Sequence, residues 1–97
     1  MSYAIVIVFE GVTEADYWTV NATLGLNRDG TGDWPEGIRS HAAGPRANGW
    51  VVIEKWESKA AQEAFMGGRL GAAIGAAGLP APSQIIETVT VNDTHIA

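Results

Sequence analysis

Cysteine is absent from the chain, which removes disulfides, thiolate nucleophiles and cysteine metal sites together and leaves the compartment open on that ground. Basic residues are scarce: six Lys and Arg stand against eleven Asp and Glu, for a formal charge of −5. No basic run could neutralise a row of phosphates, so nucleic acid is not an expected partner. Long hydrophobic runs are missing as well. Tyr3 to Phe9 has no basic segment before it and no small-residue cleavage site after it, so it reads as a strand and not as a signal. Leu70 to Pro82 is rich in Ala and Gly, follows Arg69 directly and is too short to cross a bilayer, so no membrane association is expected. The sequons Asn21-Ala22-Thr23 and Asn92-Asp93-Thr94 carry little weight without an export signal, and the working location is the cytoplasm. Histidine is rare too. His41 and His95 lie 54 positions apart and make no zinc motif, and Asp29 and Asp33 lack the later ligands of a calcium loop, so no metal is expected.

What is present is the composition of a folded protein, 46% hydrophobic and 18% charged. Ninety-seven residues make one domain, 1–97, whose core is modest unless a partner enlarges it. Tyr3 to Phe9, β-branched and aromatic, is the pattern of a strand covered on both sides. Thr13 is a good N-cap, Glu14 and Asp16 suit a first helical turn, and Tyr17, Val20 or Asn21, and Leu24 recur at helical spacing until Gly25. Asn27 to Gly37 is a run of turn formers and predicts a surface loop carrying Trp34. Ile38 to Ala43 and Gly49 to Glu57 predict a hairpin joined through Gly44-Pro45-Arg46-Ala47-Asn48. Ser58 caps a second helix with Ala61, Phe65, Gly68 and Ala72 along one stripe and a break or a loosened turn near Gly67-Gly68. The repeat Gly67, Gly71, Gly75 follows no strand and is better explained by close backbone packing than by phosphate binding. Ser83 to Val91 alternates as a fourth strand and a polar tail follows.

The order βαββαβ is the ferredoxin-like, split βαβ arrangement: an α+β fold with a four-stranded antiparallel sheet and both helices on one face. The opposite face is also apolar. Whichever parity of strand one faces the helices, Tyr3, Ile5, Ile7 and Phe9 or Ala4, Val6 and Val8 remain for the other side. Such a face is not left in water, and a second copy of the chain is the simplest cover, so a homodimer is expected.

Trp50-Val51-Val52-Ile53-Glu54-Lys55-Trp56-Glu57-Ser58, followed by Ala61, Glu63, Ala64 and Phe65, is similar to the strand-then-helix segment of the dimeric α+β barrel superfamily that includes antibiotic-biosynthesis monooxygenases. Trp34-Pro35 with Gly37, leading to His41, resembles uncharacterised members. The resemblance covers nearly the whole chain. It implies a homodimer of two packed sheets and, in each protomer, a cavity between sheet and helices for a small aromatic or polyketide-like ligand. Members of the superfamily include cofactor-independent oxygenases, polyketide cyclases, lactone isomerases, haem-degrading enzymes and proteins with no known activity, so the fold does not choose the chemistry. The haem-degrading branch carries an Asn on the first strand and a Trp and a His on the second helix. Here the first strand has no Asn, Phe65 stands at the helix aromatic, and no His lies between His41 and His95.

His41 is the candidate base, since an imidazole titrates in the range useful for proton abstraction and its strand neighbours are small. The plainer alternative is a structural histidine tied to a backbone carbonyl or facing the dimer. Tyr17, Trp18, Trp34, Trp50, Trp56 and Phe65 are candidates to line a pocket for a flat substrate, with core packing at period two as the alternative for Trp50 and Trp56. Trp34, in a loop, is either a lid or a packing plug. Arg39 is expected on the face opposite His41, as a rim or dimer residue, and His95 carries no assigned role. Three readings remain open: a cofactor-free monooxygenase or cyclase using His41, a non-catalytic binder of a small hydrophobic ligand, and a structural one with the barrel closed and packed and no cavity.

Overall fold

The computed structural model describes residues 1–96. Strands β1 (Tyr3–Glu10), β2 (Ile38–Arg46), β3 (Gly49–Trp56) and β4 (Gln84–Val89) form one antiparallel sheet in the order β2-β3-β1-β4. Helix α1 (Glu14–Leu24) joins β1 to β2, and the segment between β3 and β4 holds α2 (Lys59–Phe65) and α3 (Gly71–Ala76). This is the ferredoxin-like α+β arrangement expected from the sequence.

The caps fall where their chemistry directs. The Thr13 hydroxyl accepts from the Asp16 amide at 3.2 Å and the Asp16 carboxylate accepts from the Thr13 amide at 3.0 Å, a reciprocal cap that starts α1. Gly25 stops it in the left-handed region, at φ 78°. Ser58 caps α2 through the Ala61 amide. Between α2 and α3 the backbone widens into a π-helical turn, Met66–Leu70, with Gly68 at φ −112° and ψ −106°. Of the break or loosened turn expected at Gly67-Gly68, the structure has the loosened turn, which kinks the helix without ending it.

The sheet presents Tyr3, Ile5, Ile7 and Phe9 of β1, and Trp50, Val52 and Trp56 of β3, to the helices, where they meet Val20 and Leu24 of α1 and Phe65 of α2 in the main core. The other face carries Val6, Val51, Ile53 and Ile86. Ile53 is 51% exposed and Ile86 53% exposed, so this second apolar face is open in the single chain. At one end of it the tail folds back, and Asp93 accepts from Ser2 and pairs with Lys55 at 2.7 Å and Arg39 at 3.9 Å.

The hairpin is tighter than expected. Strand β2 continues through Gly44, Pro45 and Arg46, so only Ala47 and Asn48 form the turn, with Asn48 at φ 63°. Pro45 is tolerated because β2 is an edge strand and needs no donor on its open side. Gly49 is required by its neighbour: a Cβ there would lie 1.9 Å from the Phe9 carbonyl oxygen on β1. At its other end β2 is bulged, since Ile38 pairs with Trp56 while Ser40 already pairs with Lys55. In a regular strand Arg39 and His41, two apart, would share a face. The extra residue carries Arg39 to the open face, where it meets Ser2 and Asp93, so its expected position holds because of the bulge and not because of strand alternation.

Candidate functional site

Register places the site. Across the β2/β3 ladder His41 stands opposite Glu54, and both point toward the helices. Glu54 is a carboxylate between Val52 and Trp56 on the buried side of a central strand, only 6% exposed. A charge there must be hydrogen-bonded. Its Oε2 lies 2.9 Å from His41 Nδ1, and its Oε1 accepts from the indole N–H of Trp56 at 3.0 Å. On the far side of the imidazole, Nε2 lies 2.6 Å from the hydroxyl of Tyr17, which α1 delivers one turn in from its N-cap.

Four side chains therefore form one chain of bonds, Trp56–Glu54–His41–Tyr17. With Glu54 as the carboxylate, Nδ1 must carry the proton, which leaves the Nε2 lone pair to accept from the Tyr17 hydroxyl. Burial pushes the Tyr17 phenol above its ordinary pKa, and the negative charge of Glu54 adds to this against an opposing hydrogen bond from Asn21. Tyr17 is thus held as the neutral donor.

Around this chain lie two neighbouring spaces that share lining residues. An inner cavity of about 60 Å³ sits between sheet and helices with an overwhelmingly aliphatic and aromatic lining. An outer groove of about 520 Å³ opens beside it, bordered by Trp18, Arg28 and Ser40. Tyr17, Asn21, Trp34 and His41 border both, so the bonded Tyr17–His41 pair stands between the two spaces.

Of the aromatics expected in a pocket, Tyr17 and Trp34 line both spaces, Trp18 only the outer one, and Trp50 and Phe65 the inner one. Trp56 lines neither. It is fully buried behind Glu54, so its part here is to hold the carboxylate, with core packing otherwise. Trp34 leans over the imidazole at 5.1 Å between ring centroids, its indole N–H donating to the Gly30 carbonyl at 2.9 Å. The loop beneath it is anchored by Arg69, which donates to the carbonyls of Leu24 and Asp33, both at 2.9 Å. His41 faces the helices and bonds only to side chains, neither to a backbone carbonyl nor on the open face. Among the described residues no cluster of three or more His, Cys, Asp or Glu could hold a metal ion.

Glu54 is the residue sequence reading missed. Its signal is one acidic residue in phase with Trp50, Val52 and Trp56, the buried parity of an otherwise apolar strand.

No protein-family model and no curated protein matches the chain. Solved structures do. A candidate antibiotic biosynthesis monooxygenase from Chloroflexus aurantiacus J-10-fl superposes with TM-score 0.63 at 17% identity, over 100% of both chains. Rv0793 from Mycobacterium tuberculosis gives TM-score 0.67 at 17% identity, over 98% of this chain and 100% of that one. The protein of unknown function NE2512 from Nitrosomonas europaea gives 0.61 at 16%, over 99% and 93%. At such identities the likeness carries the fold and not the chemistry. The chain therefore shares the ferredoxin-like α+β fold of these three structures, one of them a candidate antibiotic biosynthesis monooxygenase.

Proposed function

We propose that the protein is a cofactor-independent acid–base catalyst of the monooxygenase or polyketide-cyclase kind, acting on a small aromatic or polyketide-type substrate. The observation that carries this is the part-buried Glu54–His41–Tyr17 chain, whose imidazole and phenol border both an apolar inner cavity and a more polar outer groove. Glu54 orients the imidazole and stabilises it when it gains a proton. Both His41 nitrogens are occupied, so the proton leaving the activated carbon passes to Tyr17 Oη as the Tyr17 proton passes to Nε2. The resulting carbanion either reduces O₂ or closes an intramolecular aldol. The substrate ring lies in the outer groove between Trp18 and Trp34, with its reacting edge at Tyr17 and His41.

The test is turnover of a panel of anthrones, quinols and poly-β-ketones. His41→Ala is expected to abolish turnover and Tyr17→Phe to lower it, and unchanged rates in His41→Ala would end the proposal. The apolar inner cavity also supports a second reading, a non-catalytic binder of a hydrophobic metabolite. A ligand that raises the melting temperature without forming product would favour it.

We further propose that two copies pack through the open sheet face, supported by the exposure of Ile53 and Ile86. Light scattering should give twice the 10.2 kDa chain mass, and a monomer at micromolar concentration would contradict this.

A further inference from the structure

We propose that the outer groove takes an anionic substrate, an aromatic or polyketide-type acid whose carboxylate is held by Arg28; this rests on the reading of the groove as the substrate site. Three observations support it. The first is charge. The chain as a whole carries −5, yet the residues bordering the groove include Arg28, Arg39 and His41 and no Asp or Glu. The acids nearest along the chain are bonded elsewhere. The Asp29 carboxylate accepts from the Thr31 amide at 2.9 Å and the Thr31 hydroxyl at 2.6 Å, Glu14 accepts from the Trp18 indole at 3.0 Å, and Asp33 pairs with Arg69 at 3.3 Å. A concave site lined by one sign of charge draws the opposite sign from solution.

The second is which cation is free. Lys55, Lys59, Arg39 and Arg69 each pair with a carboxylate. Arg39 borders the groove, but its guanidinium is engaged by Ser2 and Asp93. Arg46 lies at the end of β2 and does not border the groove. Among the described residues Arg28 pairs with no carboxylate. Its guanidinium stands over the Trp18 ring, 4.6 Å from the centroid, a contact that steadies the planar group and leaves its N–H edge to a ligand. That edge matches a carboxylate two bonds at a time.

The third is size and placement. The groove of about 520 Å³ falls within the roughly 300–1,000 Å³ of pockets that hold small organic ligands, and a simple inorganic anion would leave most of it empty. Trp18 and Trp34 supply aromatic surface, and Tyr17 and His41 border the same groove. An acid anchored at Arg28 therefore keeps its rings between the two indoles and its reacting edge beside the imidazole. A neutral compound of the same shape lacks the anchor, so Arg28 selects by charge among ligands that the tryptophans accept alike.

The experiment is an NMR titration with 2-naphthoate and, as its neutral counterpart, 2-naphthamide, neither of which has an activated carbon to deprotonate. The acid should bind about fivefold more tightly than the amide, the upper end of what an exposed ion pair supplies. The margin should shrink as salt rises. The indole N–H signals of Trp18 and Trp34 should move, while that of Trp56, fully buried and outside the groove, stays in place. Arg28→Gln should bring the acid to the amide's affinity, Arg28→Lys should keep only part of the preference, and Arg39→Gln should leave it intact. Equal binding of the two probes, binding of neither, or a preference that survives Arg28→Gln would overturn the anion subsite. The same variants are assayed for turnover of anthrones with and without a carboxylate. Acid preference without turnover keeps the subsite and rejects the catalyst, and His41-dependent turnover that ignores both the carboxylate and Arg28 does the reverse.

Discussion

Replacing Glu54 with Gln tests the bond chain most directly, because the two groups have the same shape and differ in what they can accept. In the native protein each Glu54 oxygen accepts one bond, from Trp56 at 3.0 Å and His41 at 2.9 Å. A glutamine amide has one oxygen. The indole of Trp56 is fully buried and can only donate, so it keeps that oxygen, because orphaning it would cost about 1–3 kcal/mol. The amide NH₂ then faces Nδ1, which must become an acceptor. The imidazole proton moves to Nε2, the bond to Tyr17 reverses, and no lone pair remains to receive a proton. General-base catalysis contributes roughly 10²–10⁴-fold, and that is the loss in rate expected of Glu54→Gln. Stability should fall by only about 1–2 kcal/mol, since a charge-assisted bond becomes a neutral one. The tautomer is visible without any substrate in imidazole ¹⁵N shifts, and with only His41 and His95 in the sequence the spectrum holds four ring-nitrogen signals, two from each histidine. Native His41 should show Nδ1 protonated and Nε2 bare, and the variant the opposite, with His95 unmoved. The same tautomer in both proteins would refute the reasoning.

Gly49→Ala should destabilise by about 3 kcal/mol, because the added Cβ meets the Phe9 carbonyl oxygen at 1.9 Å and must part β1 from β3; denaturant titration would read it, and a change under 1 kcal/mol would contradict it. Asp93 is held below its ordinary pKa by its bonds to Lys55 and Ser2, so the stability it contributes is present above the unfolded carboxylate value near 4 and lost as pH falls through the lower folded value. Asp93→Asn should flatten that acid limb of a melting-temperature profile. Tyr3 and Tyr17 are both shifted upward, chiefly by burial, so their contribution is complete below the unfolded value near 10 and lost as pH rises through the higher folded values. Absorbance near 295 nm should show each of the two tyrosines less than half ionised in the native state at pH 10, and a native titration with its midpoints at or below pH 10 would contradict the upward shifts.

The strands, the caps at Thr13 and Ser58 and the loosened turn at Gly68 could be read directly, because each rests on a local preference: β-branching, an oxygen one turn ahead of an amide, or glycine in a helix. His41 was also legible, as the one histidine within a strand. Its partners were not. Glu54 faces His41 because the Ala47-Asn48 turn sets the β2/β3 register, and Tyr17 reaches His41 from α1, an element 24 residues earlier in the chain. Those are distances between elements, to which periodicity is blind. Trp56 shares a period with Trp50, yet only its depth separates a cavity wall from a carboxylate clamp.

The bulge at Arg39 has a consequence for how such a chain can change over generations. From Ser40 onward the β2 frame is set by the hairpin, and before Ile38 the chain belongs to the tryptophan loop. One unpaired residue between them lets the loop gain or lose length while the phase of everything beyond it stays fixed. The segment that would meet a new ligand can therefore be rewritten by insertion or deletion without turning the histidine away from its carboxylate.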